Sequence, residues 1–202
     1  MFRKILHTFS ILVHTSINIR TAFIIGGLVG AIFFLNIWGV KVLDINNINW
    51  ILYPIGNDTG ASVVFSFDFL LEPWSFPFGV IRNLVYPNLT SIAYGDDVPL
   101  MALICKIFSP FTKLGYFQYY GIWGLLCFIL QGAFSAIIMR RYSDNIILII
   151  LSSMFFVSTT LLIGRTFGHI SFGGQWILLA AISIVWFRKW DFIKKMNYGY
   201  GA

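Results

Sequence analysis

Between Arg20 and Lys41 lie twenty residues, TAFIIGGLVGAIFFLNIWGV, with no ionisable side chain among them. As a helix rising about 1.5 Å per residue, such a run is about 30 Å long, the thickness of a bilayer's hydrocarbon core. Three more runs lie between charged residues in the same way. Residues 114–139 separate Lys113 from Arg140, with the apolar part opening near Phe117. Residues 145–164 separate Asp144 from Arg165, and 166–187 separate Arg165 from Arg188 with His169 as the one ionisable side chain. These lengths predict an all-α membrane protein with about four transmembrane helices, over 21–40, 117–139, 145–164 and 170–187. The whole of 1–202 reads as a single polytopic membrane domain.

Composition agrees with that reading. Charged residues are 11% of the chain and hydrophobic ones 58%, whereas a soluble domain carries about 25% charge. The net charge of +6 is not spread as a groove for nucleic acid. It sits in flanks of the apolar runs: segments 1–20, 140–144 and 188–202 hold nine of the 14 Lys and Arg and two of the eight acids. Basic residues collect on the cytoplasmic side. Both termini are therefore expected in the cytoplasm, with the plasma (inner) membrane as location and loop 41–113 outside. A cleavable signal peptide is not expected, because His7, His14, Asn18 and Arg20 interrupt the N-terminal stretch. Residues 5–19 read instead as a surface helix. Cys105 and Cys127 both lie in apolar sequence, which argues against a structural disulfide or a metal site.

The external loop holds all six prolines of the chain and is rich in aromatic residues. Within it, Pro99 follows Asp96-Asp97 and opens the short apolar run to Phe108. Acid before a helix and proline in its first turn mark a helix start. At about 16 Å the run is too short to span, so it is expected to lie in the membrane interface.

Four places in the sequence could carry chemistry. Asp58, in Gly56-Asn57-Asp58-Thr59-Gly60, suits a helix cap and equally a general base. Glu72-Pro73-Trp74-Ser75-Phe76-Pro77-Phe78 makes a rigid turn whose rings could stack on sugars or sit at lipid headgroups. Asp96 and Asp97 are paired carboxylates that a helix N-terminus would explain. Arg165 and His169, in Arg165-Thr166-Phe167-Gly168-His169, could grip a phosphate, or the arginine could only snorkel to headgroups. No serine-nucleophile motif, P-loop or metal-ligand cluster accompanies them.

Taken in order, the segments EPWSFPFG, YPNLTSIAYGDDVPL, FQYYGIWGLLCFILQG and RTFGH resemble a bacterial branch of GT-C-like membrane proteins. The GT-C class comprises polytopic glycosyltransferases that use lipid-phosphate-linked sugars. The likeness covers roughly residues 40–188 and concerns the N-terminal part of such enzymes. It implies transfer of a sugar from a polyprenyl-phosphate donor at the outer face of the cell envelope. Asp58 matches the catalytic acid of the first outer loop, and Val98-Pro99-Leu100 matches the helix that follows it. Arg165, His169, Glu72, Trp74, Asp96 and Asp97 would then contact substrate, and a divalent cation is compatible with the class. Class members usually keep an acid pair where this chain has Asn57-Asp58, and they carry further spans, so the resemblance implies a module or truncated form. The alternative is a small non-catalytic membrane subunit that binds lipid or a partner membrane protein. Transporter function is disfavoured, because the spans contain almost no ionisable residues.

Overall fold

The computed structural model of the protein describes residues 17–52, 58–109 and 117–186. The expected surface helix at 5–19 lies largely outside them, as do the turn at 53–57 and the basic flanks 1–16 and 187–202. The described chain is mostly helical. Its helices are α1 (Ile19–Trp38), α2 (Asn49–Leu52), α3 (Asp58–Leu71), α4 (Pro99–Phe108), α5 (Tyr120–Arg140), α6 (Ile146–Val157) and α7 (Thr160–Arg165). An eighth, α8 (Ile170–Trp186), opens with a 3-10 segment over Ile170–Gln175. A two-residue antiparallel pairing, β1 (Val80–Ile81) with β2 (Thr90–Ser91), closes a hairpin in the loop. Helices α1 and α5 are long and apolar enough to cross a membrane on length and composition.

The third apolar run departs from expectation. It is not one helix but two, α6 and α7, interrupted at Ser158 and Thr159. Ser158 Oγ donates to the Phe155 carbonyl (3.2 Å) and Thr159 Oγ1 to the Phe156 carbonyl (3.2 Å). Hydroxyls that bond the preceding turn compete with the helical ladder, and hydropathy does not register that competition.

The chain forms two compact units whose segments alternate along the sequence: Met1–Phe33 with Cys127–Thr159 and Gly174–Ala202, and Phe34–Leu126 with Thr160–Gly173. In the first unit, α1 and α5 approach backbone to backbone. A Cβ on Gly26 would run into the Gly132 carbonyl, and one on Gly30 into the Phe128 carbonyl. Small residues four apart permit this approach between apolar helices. Ala22, Ala136 and Ile149 pack beside it. Ser153 Oγ donates within the unit to Gly132 O (3.1 Å) and Ile149 O (3.0 Å), so that hydroxyl is buried with its bonds made.

The second unit is built on the loop. Its core joins Ile51, Val63, Phe69, Ile81, Ile92, Val98, Ala102, Tyr119, Tyr120 and Ile170. Gln118, fully buried, ties the start of α5 to the chain after α1. Its Nε2 donates to Val42 O (2.9 Å) and Asp44 O (2.8 Å), while its Oε1 accepts from Gly121 N (2.9 Å). The same unit holds α3 and α4, with Pro99 in the first turn of α4 as its sequence predicts.

Candidate functional site

Helix α3 turns a polar face inward. Thr59, Ser62 and Ser66 are buried along it together with Val63 and Phe69. Counted from Asp58, the positions 58, 62 and 66 recur every four residues and share one side. Each meets a different part of the second unit. Ser62 Oγ donates to Asp96 O (3.1 Å), Ser66 Oγ donates to Asp97 Oδ1 (2.9 Å), and Asp58 Oδ2 lies 3.7 Å from His169 Nδ1.

His169 arrives on the segment that links α7 to α8, and Phe167 anchors that segment. The Phe167 ring sits 5.1 Å from Trp38, 4.8 Å from Trp50 and 6.1 Å from Phe34, each in an edge-on arrangement. Such contacts are the favoured geometry for aromatic rings. Thr59 Oγ1 donates to the Phe167 carbonyl, and Trp123 Nε1 donates to Ile170 O (3.0 Å). Gly124 leaves room for the ring, since a Cβ there would meet Phe167.

With both segments fixed, His169 Nδ1 lies 3.0 Å from Asp96 Oδ2, within hydrogen-bond distance. Ser171 Oγ donates to the other oxygen of Asp96. One imidazole therefore stands between two carboxylates, bonded to Asp96 and near Asp58. They line a cleft of about 380 Å³ with Ala61, Ser62, Phe65, Tyr94 and Gly95. Asp58 is the more open of the two acids, with a side chain 67% exposed against 25% for Asp96. Because Nδ1 is bonded to Asp96, Nε2 is the ring nitrogen left for a ligand. Among the described residues, no Lys or Arg lines the cleft, and no group of three His, Cys, Asp or Glu is arranged to hold a metal ion.

The sequence-predicted site residues divide accordingly. Asp58, Asp96 and His169 come together. Asp58 is the first residue of α3, and its carboxylate faces His169 rather than only the helix end. Asp96 and Asp97 directly precede α4 without capping it: the N-cap is Val98, with no side-chain cap bond. Asp97 is buried instead, its Oδ1 accepting from Ser66, Tyr119 (3.1 Å) and Tyr120 (2.8 Å).

Glu72 and Trp74 do not reach the cleft. Glu72 is a buried internal acceptor, taking hydrogen bonds from Arg82 N (2.7 Å) and Asn83 N (3.1 Å) to hold the hairpin. Trp74 packs edge-on against Phe78 and lies near the buried Lys106 ammonium, whose pKa burial lowers and Glu72 partly restores. Arg165 ends α7, is exposed, and does not line the cleft. Sequence reading passed over Ser62, Ser66, Ser171, Tyr119 and Tyr120. The four-residue spacing from Asp58 was the available signal for the two serines. Nothing in the sequence marked the tyrosines, which read as part of an apolar span.

The protein is thus a mostly helical chain with an acid–histidine–acid cleft on its loop-built unit. The sequence matches the Domain of unknown function (DUF6311) over residues 27–198, and the chain belongs to that family. No curated protein and no solved structure matches it.

Proposed function

We propose that this protein is a GT-C-like membrane glycosyltransferase, or a module of one, and that the Asp58–His169–Asp96 cleft is its acid–base site. The observation that carries the reading is the pair of carboxylates on one imidazole nitrogen, 3.7 Å and 3.0 Å away, beside a cleft large enough for a sugar ring. In this scheme Asp58, the exposed acid, accepts the proton of an acceptor hydroxyl. The freed oxygen attacks the anomeric carbon, and the bond electrons leave with the polyprenyl phosphate. Asp96 orients His169, which presents Nε2 to the reacting groups. Arg165, exposed at the end of α7 and outside the cleft lining, belongs to the lipid headgroup side of the scheme rather than to the acid–base site.

The same proposal has the chain crossing the plasma membrane four times, by α1, by α5, by the α6–α7 pair and by α8. The basic flanks lie in the cytoplasm and loop 41–113 outside. Glycine-mediated contact between two apolar helices supports this reading, because membrane helices pair through small residues. Exposed Leu100, Ile107 and Phe108 on α4 support an interfacial helix that meets lipid.

The test is transfer by purified protein in lipid nanodiscs, with radiolabelled polyprenyl-phosphate hexoses as donors and envelope extracts as acceptors. Parent protein should transfer label, and Asp58→Asn should lower the rate about 10²–10⁴-fold, the usual effect of removing a general base. Transfer by Asp58→Asn at the parent rate removes Asp58 from the mechanism. Absence of transfer by the parent from every donor favours the non-catalytic subunit.

A further inference from the structure

Asp97 is a buried acid with no place in the scheme above. It is 2% exposed, makes no helix cap, and does not line the cleft. A carboxyl is costly to bury and is normally paired with a cation. Here three hydroxyls surround it. Ser66, Tyr119 and Tyr120 all bond Oδ1, and they also meet one another through Ser66 Oγ, at 2.9 Å from Tyr119 and 2.7 Å from Tyr120. These donors come from two separate parts of the second unit, α3 and the start of α5. Asp97 Oδ2 has no partner.

We propose that Asp97 is the positioning residue of the cleft: clamped by Ser66, Tyr119 and Tyr120, it fixes the chain at residues 95–97 and thereby holds Asp96 against His169. The inference rests on the cleft being the working site, though not on which reaction occurs there. Three observations connect the clamp to the cleft. Asp97 directly follows Asp96, whose carbonyl is tied to the same helix by Ser62. Gly95, on the other side, leaves room for the Phe65 ring, since a Cβ there would come within 3.2 Å of that ring and 3.5 Å of Asp97 Oδ2. Finally, Ser66 is two turns from Asp58 on α3, so a single helix face sets the first acid and the clamp of the second together.

The clamp tolerates a change of proton. Burial pushes the Asp97 carboxyl up to about 6, the hydroxyl bonds pull it down, and the charge of Asp96 raises it further. A proton added to the partnerless Oδ2 leaves all three bonds on Oδ1 in place. Asp96, Tyr119 and Tyr120 are the titratable groups facing Asp97, and Asp58 and Asp96 are those facing His169. Positioning therefore depends on the shape of the acceptor oxygen and not on its charge. Asparagine can replace aspartate here, and alanine cannot.

The experiment reads the tautomer of His169 directly, by nitrogen-15 NMR of imidazole-labelled protein in nanodiscs. His7 and His14 are replaced by Gln so that the signal is that of His169 alone. In the parent the neutral ring should carry its proton on Nδ1, as the bond to Asp96 requires. Asp97→Asn should keep that signal and its pH profile. Asp97→Ala should lose it, with the proton moving to Nε2. A lower melting temperature alone would not produce that switch. A folded Asp97→Ala protein with the parent tautomer and titration overturns the proposal. So does an Asp97→Asn protein that switches as fully as the alanine variant. Should Asp97→Ala fail to accumulate, Ser66→Ala removes one clamp donor and should show a partial switch, and an unchanged His169 there overturns the proposal as well.

Discussion

The two compact units bury their interiors by opposite means. The first removes side chains: Gly26, Gly30 and Gly132 let two helices touch along their backbones, and its buried hydroxyls, such as Ser153, return their bonds to nearby carbonyls. The second adds polar groups and then satisfies them, with Gln118 spanning two carbonyls, Glu72 holding a hairpin, and Asp97 collecting three hydroxyls. The first device contains nothing that titrates near neutral pH. The second places a carboxyl in the interior and an acid–histidine–acid group at the rim. Rigid apolar contact suits a scaffold, whereas a polar interior can hold reactive groups at set distances.

The largest effect should come from attacking the first device. Gly30→Leu puts side-chain atoms where the Phe128 backbone stands, so the helices must separate. We expect a loss of about 3 kcal/mol or more, beyond the ordinary 1–3 kcal/mol of overpacking, because the obstacle is backbone. Thermal unfolding in mild detergent measures it, and a melting curve equal to the parent's would deny the close approach.

A smaller, pH-dependent effect belongs to the second device. Asp97 is raised from 3.8 to about 6, chiefly by burial, so between those values the folded chain binds more protons than the unfolded one. Stability should therefore fall as pH rises from about 4 to about 6 and then level off. At about 1.4 kcal/mol per pKa unit, the drop is on the order of 2–3 kcal/mol. Asp97→Asn should flatten the profile in that window, while Gly30→Ala should leave its shape unchanged. The smallest effect is expected at the exposed aromatic turn. Trp74→Ala should alter stability by no more than about 0.5 kcal/mol, the usual scale for surface positions. A much larger loss would mean that the turn belongs to the core of the second unit.

Much of this was legible in the sequence, and the limits have physical causes. Helices α1 and α5 follow from uncharged length alone, and α4 from Pro99 and its short apolar run. Asp58, Asp96 and His169 stood out as ionisable groups among apolar neighbours. Their meeting did not, because His169 and Asp96 are 73 residues apart and only the anchoring of Phe167 brings them together. The break at Ser158 was hidden because hydropathy averages over hydroxyls that act locally. The buried role of Asp97 was hidden for a related reason. An acid just before a helix ordinarily serves the helix dipole, and only the inward-facing Ser66, Tyr119 and Tyr120 give it a different task.

In the proposed topology the cleft lies outside the membrane and the basic turn after α5 lies in the cytoplasm. Single cysteines at Tyr94 and Tyr142, both highly exposed positions, test it in a background with Cys105→Ser and Cys127→Ser. Intact spheroplasts are treated with a membrane-impermeant maleimide before and after permeabilisation. The proposed topology predicts that Tyr94→Cys labels at once and Tyr142→Cys only after permeabilisation. Labelling of Tyr142→Cys in intact spheroplasts, or of Tyr94→Cys only after lysis, would contradict it.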